Sequence, residues 1–328
     1  MNFAKCKQVI KHGLMMRESF DFKSNTVTNW FPGHMGKGLN EVHKKLRDID
    51  CLIEVHDARI PLSGRNPLFE NEIAQIKPHI LVLNKLDLVS KMEVAAITKY
   101  LEEKKKNFLF TNCKKPKSKE IKGLVPMALE LIKESERYHR SELSEYGIMV
   151  IGIPNVGKSS LINALRVTYL NKGHATPVGA APGITRAVLE RIKVCDNPRV
   201  YVRDTPGILE PNIRNVEVGL KLALVNTITD HLVGETMIAD YLLFRLNLIG
   251  IHKYVDFLRL DKPTDDIYEA LGKFAEKEDC FDKRRNFGTG GGYIITPNYK
   301  MAAERFITAY RKGKFGSLML DHYDYSVK

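Results

Sequence analysis

Short apolar stretches rich in β-branched residues recur at Cys51–Ala58, His79–Leu83, Asn107–Thr111, Gly147–Ile153, Val188–Val194 and Arg199–Arg203. Stretches of this length and composition predict six strands. Between several of them, apolar positions recur every three or four residues, as in Glu93–Lys105 and Leu124–Arg137, which predicts helices. Strands alternating with helices predict a mainly parallel sheet covered on both faces. After about Pro211 the strand signal fades, while Val218–Val225 and Ala239–Leu248 keep helical spacing. The chain therefore reads as an α/β domain over residues 28–215 followed by an all-α domain over 216–328.

The sharpest motif is Gly152-Ile-Pro-Asn155-Val156-Gly157-Lys158-Ser159, which follows a predicted strand and opens the helical run Ser160–Leu165. Glycines at that spacing let successive backbone N–H groups, including those of Asn155, Val156, Gly157 and Ser160, curl around a phosphate at the positive end of the helix. Lys158 should reach the β- and γ-phosphates, and the Ser159 hydroxyl should bind Mg²⁺. Asn84-Lys85-Leu86-Asp87 ends another strand. The Asp87 carboxylate can accept from the N1–H and 2-amino groups of guanine, a donor pair that adenine lacks. The Lys85 stem can lie along the base, and Asn84 can tie this loop to the phosphate loop. Asp204-Thr-Pro-Gly207 closes a third strand, where Asp204 can hold Mg²⁺ through water and the Gly207 N–H can sense a γ-phosphate. In Gly183-Ile-Thr185, Thr185 can give the metal a second hydroxyl. GTP or GDP with Mg²⁺ is the expected ligand set, and Asp87 disfavours ATP.

Charge and cysteine usage add to the picture. Lys plus Arg outnumber Asp plus Glu by 51 to 39, for a net charge of +12, which favours a polyanion such as nucleic acid as partner. No apolar run reaches the roughly 18 to 20 residues of a membrane span. The five cysteines are scattered and never spaced Cys-x-x-Cys, which argues against a disulfide framework or a structural zinc site. Residues 1–17 carry Lys5, Lys7, Lys11 and Arg17 among apolar residues and no acid, the profile of a mitochondrial targeting segment, as would be an ordinary basic first helix.

In order along the chain come Asn84–Asp87, the phosphate loop, Thr185 and Asp204–Gly207. This order resembles the circularly permuted GTPases of the YlqF/RbgA type, in which the Ras-like motifs are rotated along the sequence. Trp30-Phe-Pro-Gly-His34-Met35 and Asp57-Ala-Arg-Ile-Pro61 strengthen the likeness, which covers about residue 28 to the C-terminus. The resemblance implies a Ras-like P-loop GTPase domain with a six-stranded sheet, then a helical domain that binds rRNA. It also implies GTP hydrolysis in assembly of the large ribosomal subunit. The 29 residues before Trp30, absent from bacterial relatives, point to the mitochondrial branch. Residues 1–27 are thus expected to target the chain to the mitochondrial matrix, as a monomer, with peripheral contact to the inner membrane left open. Lys104–Lys106, Lys114–Lys122, Lys283–Arg285 and Arg311–Lys314 are candidate phosphate contacts, and Gly288–Gly292 reads as a flexible connection with no strand leading into it.

Ras-like enzymes place a water-orienting Gln just after the Asp-x-x-Gly motif; here Ile208 stands there, so intrinsic hydrolysis should be slow. The resemblance points to His34 as the water-positioning residue, with a cap before the helix Gly38–Leu46 as its plainer role. Asn155 matches the asparagine that helps hold K⁺ in potassium-stimulated relatives, or else supports a tight turn. Thr111-Asn112-Cys113 replaces the usual Ser-Ala-x loop behind the base, which puts that contact in doubt. Two other functions stay open: a GTP-gated RNA-binding chaperone with incidental hydrolysis, and a GTPase serving tRNA or a membrane complex.

Overall fold

The computed structural model describes residues 8–11, 14–22, 42–67, 69, 76–137, 140–173, 191–208, 215–285 and 293–321. In chain order the strands are β1 (Gln8–Lys11), β2 (Leu14–Arg17), β3 (Cys51–Asp57), β4 (His79–Asn84), β5 (Phe108–Phe110), β6 (Glu145–Ile151), β7 (Ile192–Cys195), β8 (Arg199–Asp204), β9 (Phe281–Arg285) and β10 (Tyr293–Pro297). The helices are α1 (Lys91–Glu103), α2 (Lys119–Lys133), α3 (Lys158–Leu170), α4 (Val216–Leu224) and α5 (Asp230–Val233). They continue with α6 (Glu235–Leu248), α7 (Lys253–Phe257), α8 (Ile267–Lys277) and α9 (Tyr299–Arg311).

Two compact units emerge, one from residues 28–229 with 317–328, the other from residues 1–27 with 230–316. The first holds a six-stranded sheet in the order β5-β4-β3-β6-β8-β7, parallel except for β7 at one edge. All seven residues of β3 are buried, as befits a central strand covered on both faces. From β3 the chain winds outward through β4 and β5, then restarts beside β3 with β6 and winds the other way. That reversal creates a crevice at the carboxyl ends of β3 and β6, the place where open α/β sheets bind ligands.

Local chemistry explains the covering helices. Ser90 caps α1: its Oγ accepts from Glu93 N at 3.2 Å, and the Glu93 carboxylate accepts from Ser90 N at 2.6 Å. In α2, Pro126 interrupts the helical ladder and leaves the Lys122 carbonyl without its usual donor; the Tyr169 hydroxyl of α3 donates to it instead. Under one face of the sheet lie Val42, Leu46, Ile49, Leu52, Phe69, Met149, Ile151 and Ile208.

The domain boundary expected at 215/216 falls later, at 229/230. Helix α4 belongs to the nucleotide unit because Leu220, Leu222, Ala223 and Leu224 are buried in it and Lys221 pairs with Asp321 at 3.3 Å. The tail also returns to this unit. Leu318 N donates to Leu88 O, Leu320 N to Arg59 O, and the Asp321 carboxylate accepts from Leu62 N and Ser63 N at 2.8 Å each.

The second unit is mostly helical, built around α6, α8 and α9, but it is not all-α. It also carries the antiparallel ribbons β1–β2 and β9–β10. Gly288–Gly292 lies outside the described residues; contrary to the expectation that no strand comes before it, β9 ends at Arg285. The N-terminal segment is part of the same unit. Phe20 is buried edge-on against Tyr241 and beside Phe244, and Arg17 forks onto Asp240 at 2.7 and 3.1 Å while its backbone N–H donates to Asp265 at 2.6 Å. Whatever targeting the basic start provides, residues 16–20 also serve the fold. Among the described residues no helix is long and apolar enough to cross a membrane.

Candidate nucleotide site

The loops after β3, β4, β5, β6 and β8 meet at the crevice. The loop after β6 is shaped by backbone that only small or special residues tolerate: Gly152 has φ 142°, Gly157 φ 104° and Asn155 φ 59°. A Cβ on Gly157 would stand 2.2 Å from Asn84 Nδ2, and one on Gly207 would stand 2.6 Å from Pro154. Close approach of three loops therefore demands both glycines.

Lys158 opens α3 and is buried, with Nζ donating to Gly152 O at 3.2 Å and Ile153 O at 2.9 Å. Burial pushes its ammonium down to about 8, against a smaller upward pull from Asp204. A cation folded onto its own loop's carbonyls, with no carboxylate within bonding distance in the described residues, is ready for an arriving phosphate. Ser159 Oγ donates to Asp204 Oδ2 at 2.6 Å. Burial raises the Asp204 pKa, with Ser159 and Lys158 opposing. A hydroxyl and a buried carboxylate side by side at a helix N-terminus are a fitting donor set for Mg²⁺. Ser160 follows on the first turn of α3.

The base-side loop is stitched to the phosphate loop. Asn84 Nδ2 donates to Val156 O at 2.9 Å, while its Oδ1 accepts from Thr111 Oγ1 and Cys113 N, each at 3.3 Å. The Thr111–Cys113 loop is thus drawn to the base side despite lacking the usual Ser-Ala-x sequence. Lys85, at φ 63°, donates from Nζ to Asn155 O at 2.8 Å. Asp87 sits in the 3₁₀ turn Leu86–Leu88 and pairs with the exposed Lys114 at 2.8 Å. Lys114, proposed as a phosphate contact, therefore covers the carboxylate that would read the base. Arg311, another such candidate, forks onto Asp230.

Ile208 turns away from the crevice. Its side chain is buried in the core beneath the sheet, its N–H donates to Gly152 O at 3.3 Å, and its carbonyl accepts from Asn66 Nδ2 at 3.1 Å. His34 and Thr185 lie outside the described residues. Two supports went unread in the sequence. Asn155 Nδ2 donates to Asn226 O at 2.6 Å and Thr227 Oγ1 to Pro154 O at 3.2 Å, so the turn after α4 braces the phosphate loop. Its one local trace is Asn226 at φ 67°, a conformation that asparagine tolerates.

Fold and site together define a P-loop nucleotide-binding protein with the guanine-type motif ahead of the phosphate loop. A family model described as 50S ribosome-binding GTPase matches residues 147–257. The chain is 52% identical over 307 residues to mitochondrial ribosome-associated GTPase 1 of Mus musculus, covering 93% of each chain. It is 48% identical to mitochondrial GTPase 1 of Aedes aegypti, covering 93% of this chain and 97% of that one. The crystal structure of GNP-bound YlqF from T. maritima shares the fold, with TM-score 0.56 and 20% identity over 87% of this chain and 98% of that one. The chain belongs to the circularly permuted GTPases, within the family of mitochondrial ribosome-associated GTPase 1.

Proposed function

We propose that this GTPase is an assembly factor for the large subunit of the mitochondrial ribosome, acting in the matrix on rRNA and ribosomal proteins. The carrying observation is the junction of Asn84 with Val156, which brings the Asn84–Asp87 loop onto the Gly152–Ser159 loop in a chain related to mitochondrial ribosome-associated GTPases. In this reading the backbone of residues 155–160 and Lys158 bind the β- and γ-phosphates, and Asp87 exchanges Lys114 for the guanine edge. Ser159, Thr185 and Asp204 would hold Mg²⁺, which supplies charge neutralisation at the phosphates when bound. Gly207 would report the γ-phosphate.

With Ile208 buried in the core, no side chain at that position orients water, and hydrolysis by the free protein should be slow. We assign water positioning to His34 on the particle, and K⁺ binding to Asn155. Turnover in the presence of large-subunit particles is expected to rise severalfold in K⁺ over Na⁺ and to drop roughly 10²-fold in His34→Ala, the usual range for general acid–base groups. GTP affinity should be unchanged in that variant. Equal rates in the two salts would remove the K⁺ role.

The test of the assembly role is co-sedimentation with mitochondrial large-subunit precursors. Retention with a GTP analogue and release with GDP is expected. Sedimentation away from large-subunit particles in both states would overturn it. Nucleotide-dependent binding with no stimulated turnover would instead favour the GTP-gated RNA chaperone.

A further inference from the structure

The buried carboxylate of Asp57, at the end of β3, has four donors. Oδ1 accepts from Arg59 Nε at 2.9 Å and Arg59 N at 3.0 Å, and Oδ2 from Arg59 Nη2 at 2.7 Å. The fourth donor is Lys85 Nζ, 2.8 Å from Oδ2. Arg59 by itself makes a complete bidentate pair, so burial of Asp57 does not require a second cation. Lys85, by contrast, gains a fixed position. Its ammonium is gripped by Asp57 on one side and by the Asn155 carbonyl on the other. Its backbone lies in the left-handed region at φ 63°, which a lysine keeps only where its surroundings over-determine it. The two loops are held in register by the sheet, since Asp57 pairs with Asn84 across β3–β4 and Ala58 N donates to Asn84 O at 2.8 Å.

We propose that Asp57 is a positioning residue for nucleobase binding, holding Lys85 so that its methylene stem is preset as one wall of the purine site. This rests on the guanine reading of Asn84–Asp87. It gives Asp57-Ala-Arg-Ile-Pro61 a division of labour: Arg59 shapes the loop, and Asp57 reaches across to the base side. Preset walls raise affinity by removing the ordering cost at the moment of binding.

A double-mutant cycle tests this, reading the affinity of a fluorescent GDP analogue for the full-length chain. Asp57→Asn is expected to weaken binding roughly tenfold, within the coupling range of contacting residues. In the Lys85→Met background the same change should cost less than about twofold. KM for GTP should rise while kcat holds. Asp57→Asn strands the Arg59 guanidinium and could unfold the chain. Asp57→Asn with Arg59→Met removes both buried charges, often a near-neutral exchange, and should reproduce the weak binding, whereas Arg59→Met alone should not. A full-sized Asp57 effect without the Lys85 ammonium, or equal losses from Arg59→Met and Asp57→Asn, would overturn the positioning role and leave the base site standing. Unaltered binding in Lys85→Met, which keeps the stem and loses only the clamped ammonium, would likewise overturn the positioning role, while the base-site reading stands or falls separately on the nucleotide preference of Asp87→Asn.

Discussion

Asp87→Asn is expected to lower GTP affinity by about three orders of magnitude while bringing XTP into the same range that GTP had. A site built to hydrogen-bond particular donors rejects an analogue lacking them by about 10⁴- to 10⁵-fold, and the partly exposed Asp87 should fall somewhat below that range. In the proposed site the carboxylate would accept two hydrogen bonds from guanine. The amide offers one acceptor and one donor, which leaves the 2-amino group facing another donor but suits the 2-oxo group of xanthine. Lys114 does not alter the sign. Its side chain is 71% exposed, so its pairing with Asp87 is worth little and yields readily to a base. Competition binding with GTP, XTP and ATP reads the result. Unchanged GTP preference would place the base elsewhere.

Lys158→Met is the second large effect. Removing the cation should cut kcat/KM for GTP by about 10²- to 10³-fold, comparable with loss of a preorganised charge donor at a transition state. The wild-type pH profile carries the same signature. In the nucleotide-free protein burial holds the Lys158 pKa near 8, below its ordinary 10.5. A phosphate beside it favours the charged form and raises that value. Nucleotide affinity should therefore be flat below about pH 7.5, with no proton taken up, and fall as pH rises through 8, where binding takes up as much as one proton per nucleotide. Folding stability runs the other way. Between pH 8 and 10.5 the unfolded chain binds more protons at this group than the folded chain, so its contribution to the stability of the nucleotide-free protein grows with pH. Lys158→Met should abolish both trends. Calorimetric titration of GDP from pH 7 to 10, in buffers of different ionisation enthalpy, would expose them. A wild-type affinity that stayed level to pH 9.5 would count against Lys158 as the phosphate cation.

Much of this site was legible because its chemistry is local. The phosphate loop, the Asn84–Asp87 turn and Asp204–Gly207 each bring strand, turn and polar group within a few residues, and five of the six strands form almost where expected; of the sixth, expected at Val188–Val194, the described residues show Ile192–Cys195. What was not legible is long-range. Asn155 and Asn226 are 71 positions apart and Ser63 and Asp321 are 258 apart, and nothing in either segment's own pattern announces the other. The strands of the helical unit escaped for a different reason. β9 reads Phe-Asp-Lys-Arg-Arg, and β10 exposes Tyr293, Ile294 and Ile295, so neither shows the alternation that a half-buried strand imprints. At the N-terminus, basic and apolar residues mixed in a short span fit a targeting helix and a two-stranded ribbon equally well.

The returning tail has a practical corollary for dissecting the molecule. Because residues 317–321 carry Leu318, Met319, Leu320 and the Asp321 carboxylate back beneath the Leu88 and Ser63 turns, the 230–316 part of the helical unit is an insert rather than a terminal appendage, and residues 1–27 join that unit from the N-terminus. A truncation at 215 discards α4 and strips the phosphate loop of its Asn226 and Thr227 brace, and one at 316 unplugs the anchor under the loop that carries Arg59. Excision of 230–316, together with the N-terminal ribbon of the same unit, removes none of these internal contacts of the nucleotide unit.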